Sequence, residues 1–186
     1  DFWLQLHIPS RIERGWVRKA VGDRKPATAI EVGCGTGRWT RFLAKDIEQT
    51  VALDRSFRSL LQNQAQLIRL GLQDKVLLVK GDATNLPAQT GVFDAVFSGQ
   101  LIEHLPTQAL RDHAVAEMAR VLKPGGLAVV SGYQWTPWNP LVRNKEGLHA
   151  GGMYYYRFSP EEFKDLLSRH FGPTEVRSSM GHILVG

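Results

Sequence analysis

Apolar residues follow two rhythms along this chain, and their alternation predicts the fold. Short apolar runs at 29–32, 50–53, 76–79, 92–97 and 127–131 read as strands buried on both faces. Between them the spacing is helical. Trp39, Phe42, Leu43 and Ile47 share one face of a helix over 38–47, and Phe57, Leu60, Leu61, Ala65 and Ile68 share another that ends at Gly71. Leu110, Ala114, Met118, Val121 and Leu122 face inward from a helix over 107–122, which Lys123-Pro124-Gly125-Gly126 stops and turns. Ser10 and Glu13 form a capping-box pattern opening a first helix, whose apolar face is Ile12, Trp16, Val17, Ala20 and Val21. Ser159-Pro160-Glu161-Glu162 repeats the pattern before Phe163, Leu166, Leu167 and Phe171. Segments 174–179 and 182–185, with Gly181 between them, predict a closing antiparallel hairpin.

Strands that alternate with helices need crossover connections, so the fold class is α/β: a Rossmann-like, mostly parallel sheet with helices on both faces. One domain spans 1–186, with an N-terminal helical segment at 1–25 and a loop-rich insertion at 132–158 that carries seven aromatic residues. Ligands of such sheets bind beyond the carboxyl ends of the strands. There the chain reads AIEVGCGTG, from Ala29 to Gly37. Gly33, Gly35 and Gly37 let the backbone turn sharply and approach a ligand, which marks a nucleotide-cofactor loop. A dinucleotide fingerprint would put its third glycine at position 38, where this chain has Arg38, so a nicotinamide oxidoreductase is disfavoured.

Composition narrows the picture a little. The 186 residues are 43% hydrophobic, enough for one well-buried core. No apolar run reaches the roughly eighteen residues of a membrane span and no signal-peptide pattern opens the chain, which predicts a soluble, cytoplasmic protein. The single cysteine, Cys34, excludes an intramolecular disulfide and reads as a small loop residue. A net charge of +5 raises nucleic acid as a partner, but Arg11, Arg14, Arg18, Lys19, Arg24 and Lys25 are the one basic cluster, and a solvated helix face explains it equally well.

Five motifs in order give a resemblance. AIEVGCGTG, VALD ending at Asp54, GDATNLP with Asp82, FDAVFSGQLIEHLP and RVLKPGG resemble the class I S-adenosylmethionine-dependent methyltransferases over Ala29 to Gly126. That resemblance implies a seven-stranded sheet of order 3-2-1-4-5-7-6 with strand 7 antiparallel. It also implies the site: Glu31 and the loop Gly33, Cys34, Gly35 and Gly37 on the methionine portion, Asp54 on the ribose hydroxyls, and Arg55 and Ser56 flanking the nucleoside. Asp82 would meet the adenine amine, Ala83 the ring edge, and Ser98, Gly99 and Gln100 would lie beside the transferring methyl. S-adenosylhomocysteine would be the product.

His104 is the candidate base and Glu103 its weaker companion, needed only for an acceptor that must lose a proton. Gln100-Leu101-Ile102-Glu103-His104 also resembles the Glu-x-x-Glu-His loop of metal-dependent methyltransferases. Its first carboxylate is an amide here, a poor ligand for a hard cation, so no metal is assigned. Tyr133, Trp135, Trp138, His149, Tyr154, Tyr155, Tyr156 and Arg157 of the insertion are available for a small-molecule methyl acceptor, the leading partner class. Nucleic acid as methyl acceptor and a nonenzymatic cofactor-binding protein are the alternatives. The oligomeric state has no signature in the sequence.

Overall fold

The computed structural model describes residues 7–137, 144–179 and 182–185. Seven described strands form one sheet of order β3-β2-β1-β4-β5-β9-β8. In chain order these are β1 (Thr28–Val32), β2 (Gln49–Asp54), β3 (Val76–Lys80), β4 (Phe93–Gly99) and β5 (Leu122–Tyr133), followed after an excursion by β8 (Val176–Ser179) and β9 (His182–Val185). The first five run parallel, and β9 lies antiparallel to both β5 and β8. This is the topology the resemblance implied. The order reverses between β1 and β4, which opens a crevice above their carboxyl ends.

Alternating residues along each strand feed two cores. Ile30, Val32, Leu53, Val96 and Val130 pack on one face against α4 (Gln108–Val121) and α5 (Pro160–Phe171), meeting Ala114, Val115, Met118, Phe163 and Leu167. Ala29, Ala95, Phe97 and Val129 pack on the other against α1 (His7–Arg24) and α2 (Thr40–Asp46), meeting Val17, Val21 and Leu43. On that second face α3 (Phe57–Arg69) covers β2 and β3 through Leu60. Ser159 and Glu162 make the expected capping box of α5, and Thr107 and Ser56 cap α4 and α3 through their hydroxyls. At the amino ends of the strands Asp94 ties β4 to β1, accepting from the Thr28 amide and hydroxyl at 2.9 Å each and from Lys123 Nζ at 2.7 Å.

Four expectations need correction. α1 begins at His7, ahead of Ser10, and Glu13 is fully buried inside it, so the capping-box reading of that pair fails. α3 presents Leu60, Asn63 and Leu67 to the sheet, while Phe57, Leu61 and Ile68 are exposed. α4 does end ahead of Lys123, as expected, but Lys123 to Gly126 form no turn: β5 runs through them, and the register with β4 jumps from Phe93↔Leu122 to Ala95↔Leu127, a bulge that Gly125 permits at φ 74°. Finally, the insertion is not all loop. Gly132 and Tyr133 complete β5, and β6 (Glu146–Leu148) pairs antiparallel with β7 (Tyr154–Tyr156).

Candidate active site

The glycine loop is built by hydrogen bonds to the neighbouring strand. Gly33 and Cys34 both donate their amides to the Leu53 carbonyl, at 2.8 and 3.0 Å, which swings the chain over the end of β2. Gly33, Gly35 and Gly37 have φ of 77°, 52° and 86°, where an L side chain is strained. A Cβ on Gly37 would lie 2.0 Å from Asn63 Oδ1, whereas the Cβ side of Gly35 is open space. Beneath the loop runs a buried polar chain: Asn63 Nδ2 donates to Thr40 Oγ1 at 3.0 Å, and Thr40 Oγ1 to Glu31 Oε2 at 2.5 Å. Burial, with the nearby Asp54 charge adding to it, pushes the Glu31 carboxyl up to about 8 despite the Thr40 bond. The Cys34 side chain points down among Ala52 and Leu60, and burial raises its thiol pKa, so it offers no nucleophile.

Asp54 closes the loop from below. Its Oδ2 accepts from the Gly35 amide at 2.7 Å and its Oδ1 from the Ser56 amide at 2.8 Å. Each carboxylate oxygen has a second lone-pair direction, so two vicinal hydroxyls can still be bonded. Arg55 is exposed beside it, and Ser56 caps α3 by accepting from Ser59. The next loop is tied to the same place, because Gly81 donates to the Asp54 carbonyl at 3.1 Å. Asp82 is exposed there. Its Oδ1 accepts the Thr84 amide and hydroxyl at 2.9 and 2.8 Å, and those bonds hold its carboxyl below the ordinary range. Ala83 is buried behind it. An open backbone cradle, one acid at the end of β2 and another after β3 therefore lie in a row. These residues fit a nucleoside cofactor, which offers hydroxyls and an amine for acids so placed.

Beyond β4 the chain kinks. Ser98 is buried and donates to the Val32 carbonyl at 3.1 Å, locking β4 to β1, and Gly99 has the Trp39 ring where a Cβ would be. Gln100 follows at φ +60°, a left-handed conformation that a non-glycine residue rarely holds. A short 3-10 turn, Ile102–His104, then sends its last two side chains to different surroundings. Glu103 is fully buried, neither carboxyl oxygen has a hydrogen-bond partner, and burial pushes it up to about 8. Glu13 of α1 adds to that rise, although it also meets Arg38 of the glycine loop at 3.3 Å.

His104 lies half-buried on the cleft side. Its Nδ1 is 2.8 Å from the carbonyl oxygen of Tyr154. A carbonyl only accepts, so Nδ1 carries the proton and Nε2 the lone pair. Burial lowers its pKa below 6.5, favouring the neutral ring. Around it stand Tyr133 of β5 and His149 of the β6–β7 connection, with ring centroids 5.6 and 5.9 Å away, and Tyr155 packs on His149 at 4.8 Å. The three tyrosines of β7 divide by face. Tyr155 joins this cluster, while Tyr156 stacks under Arg111 at 4.4 Å and Tyr154 bonds Glu146 at 2.6 Å. Trp138, also expected in this region, lies outside the described residues.

The candidate residues thus fall into two adjoining groups, the loop with Asp54 and Asp82, and the His104 turn with the insertion. Sequence reasoning missed Thr40, Asn63 and the Glu13–Arg38 pair. Asn63 gave one faint signal, a polar residue at helical spacing between Leu60 and Leu67. Among the described residues no group of three His, Cys, Asp or Glu side chains is arranged to hold a metal, and no helix is long and apolar enough to cross a membrane. A separate cleft of about 560 Å³ between α4 and α5, lined by Arg111, Tyr156, Glu162 and Arg169, takes in Tyr156 but neither the glycine loop, Asp54, Asp82 nor His104.

Comparison with known proteins agrees with this geometry. The chain is 29% identical over 164 residues to the demethylmenaquinone methyltransferase of Lactiplantibacillus plantarum, covering 83% of this chain and 68% of that protein. It is 36% identical over 122 residues to the Staphylococcus aureus protein of the same name, covering 64% of this chain but only 48% of the relative, so it spans about half that relative's length. Among solved structures, the Burkholderia thailandensis 1,6-didemethyltoxoflavin-N1-methyltransferase, which holds its substrate and S-adenosylhomocysteine, matches the fold with a TM-score of 0.74 at 18% identity, covering all of this chain and 79% of that one. The sequence profile described as "Methyltransferase domain" matches residues 30–130, from the first strand through the glycine loop, both acids and the His104 turn to the end of the sheet's parallel half. On that match the chain belongs to the methyltransferase-domain family of S-adenosylmethionine-dependent enzymes.

Proposed function

We propose that this chain moves the methyl group of S-adenosylmethionine to a small organic acceptor held between the His104 turn, the end of β5 and the β6–β7 hairpin. The cofactor supplies an activated methyl on a sulfonium, whose C–S electron pair leaves with the sulfur as the acceptor's lone pair takes the carbon. Alignment then does most of the work, on the order of 7–11 kcal/mol in favourable cases.

Each candidate residue has a part in that alignment. The backbone of Gly33, Gly35 and Gly37 comes close to the methionine portion, Asp54 bonds the ribose hydroxyls, and Asp82 takes the adenine amine, with Ala83 at the ring edge and Arg55 and Ser56 alongside. Glu31 reaches the methionine ammonium through the floor of the loop, where an arriving positive charge favours its carboxylate. Ser98, Gly99 and Gln100 shape the methyl's surroundings. Nε2 of His104 accepts a proton from an acceptor that must lose one, and Glu103, buried and largely protonated at neutral pH, adds no negative charge to oppose an oxyanion.

The observation that carries this reading is the 2.8 Å bond from His104 to the Tyr154 carbonyl. It joins the cofactor side of the cleft to the insertion and fixes which nitrogen faces the acceptor. The cleft side of that pair is lined with Tyr133, His149 and Tyr155 rather than with a basic stripe, which supports a small molecule over a nucleic acid. Labelled methyl transfer tests the choice directly: counts should enter small phenols, amines or enols, and transfer to RNA with none to small molecules would reverse it.

A further inference from the structure

His149 carries an unexplained feature. Its Nε2 is buried and has no hydrogen-bond partner, an arrangement that is unfavourable whether the nitrogen bears a proton or a lone pair. The shortest of the ring contacts around it is with Tyr155. That phenol is held between two flat groups, with His149 at 4.8 Å between centroids on one side and the Arg157 guanidinium 4.3 Å from the ring centroid. It lies across the hairpin over Gly147, where a Cβ would come within 2.8 Å of the Tyr155 hydroxyl. A second phenol, Tyr133, meets both His149 and His104 edge-on at 5.9 and 5.6 Å. This corner of the cleft already packs aromatic hydroxyl groups of its own against imidazoles.

We infer that Tyr155 occupies the place of the acceptor ring, and that the acceptor is a neutral aromatic hydroxyl compound which displaces Tyr155 from His149 and is held there by a hydrogen bond to His149. The inference rests on the methyl-transfer reading above and narrows it to one substrate class. Tyr155 is half-buried in the middle of β7, in a two-stranded hairpin outside the main sheet, and belongs to no core cluster, so its departure disturbs none. The incoming ring inherits the tilted contact with His149 and the cation contact with Arg157, and its polar group satisfies the orphaned nitrogen. Its hydroxyl lies within reach of the second imidazole, where the O–H bond breaks, its proton passing to Nε2 of His104, and the oxygen lone pair forms the new O–C bond as the C–S pair leaves with sulfur. The charged groups facing the cluster suit an oxygen that turns anionic. Arg157 and Arg38 are the cations whose charge reaches Tyr133, and Glu103, the carboxyl that acts on it, is buried and largely protonated.

The test uses the whole chain saturated with S-adenosylhomocysteine and para-nitrophenol as the probe, with its yellow anion as the optical signal. The probe should bind, and His149→Phe, which keeps the ring but not the nitrogen, should weaken it by roughly tenfold, the loss expected for one hydrogen bond. His149→Gln should restore most of that loss. Tyr155→Ala, by vacating the place, should tighten binding several-fold, and all three variants should bind S-adenosylhomocysteine as the parent does. No probe binding beside bound S-adenosylhomocysteine, an unchanged His149→Phe, weakened binding in Tyr155→Ala, or loss of S-adenosylhomocysteine affinity in His149→Phe would each overturn the inference and leave methyl transfer standing. Failure of the parent to bind S-adenosylhomocysteine would instead remove the methyl-transfer reading, and this inference with it.

Discussion

Gly37 has two independent reasons to be glycine, its φ of 86° and an Asn63 oxygen 2.0 Å from where a Cβ would go. Relieving the clash means moving Asn63, which breaks its bond to Thr40 and loosens the bond from Thr40 to Glu31. Gly37→Ala should therefore cost about 2–4 kcal/mol in urea unfolding, from backbone strain plus a broken buried network. Gly35→Ala should spare stability better, since its Cβ side is open, and reduce cofactor binding instead. His104 makes a different case, where the residue type carries chemistry rather than space. His104→Asn should lower kcat about 10²–10⁴-fold for acceptors that lose a proton, with cofactor affinity unchanged. The acid limb of kcat/KM should lie below pH 6.5, because burial lowers the His104 pKa, and should vanish in the variant. An acid limb unchanged in His104→Asn would assign the proton to another group.

At the scale of elements, α3 shows where the pattern in a sequence stops being informative. Phe57, Leu61 and Ile68 keep helical spacing as faithfully as Leu60 and Leu67, and the sheet selects the second set because Ser56 caps the helix in one rotational phase. Leu67→Ala should cost about 2–4 kcal/mol, and Leu61→Ala no more than about 0.5, measured by urea unfolding. Equal losses would mean that the helix face has been assigned wrongly. The strands and the glycine loop were legible because buried β-branched runs ending in spaced glycines have few other uses. The bulge in β5 was hidden, since Pro-Gly-Gly reads as a stop and only the β4 register reveals a continuing strand. The β6–β7 hairpin was hidden too, because three consecutive tyrosines do not alternate. Near the candidate site, the placement of Asp54 and Asp82 at the ends of β2 and β3 could be read from the strand pattern, whereas the Glu13–Arg38 pair joins residues 25 apart and left no local trace.

At the scale of the whole molecule, two of the fully buried acids, Glu31 and Glu103, have carboxyls pushed up by burial, and their titration reaches global stability. Glu31 and Glu103 keep their protons to about pH 8 in the folded chain, against an ordinary value of 4.5. Between those limits the folded state binds more protons than the unfolded one, so their contribution is full below about 4.5 and is lost as pH rises towards 8. His104, lowered by burial, works in the opposite sense below 6.5, one group against two. Unfolding free energy in the ligand-free chain should accordingly fall from pH 5 to pH 8, and the double variant Glu31→Gln, Glu103→Gln should flatten that slope. A stability that rises over this range and ignores the substitutions would mean that both carboxyls are ionised in place.

All of this depends on the glycine loop, Asp54 and Asp82 forming one cofactor cradle. The most direct measurement is the melting temperature with saturating S-adenosylmethionine or S-adenosylhomocysteine, compared with nicotinamide dinucleotides, because a ligand bound only by the folded state must stabilise it. Both sulfur nucleosides should raise the midpoint by several degrees, on the order of the ~2.7 kcal/mol expected at a hundredfold excess over Kd, and the dinucleotides should not. Asp54→Ala should shrink that shift. No shift with either sulfur nucleoside, or an equal shift in Asp54→Ala, would contradict the account.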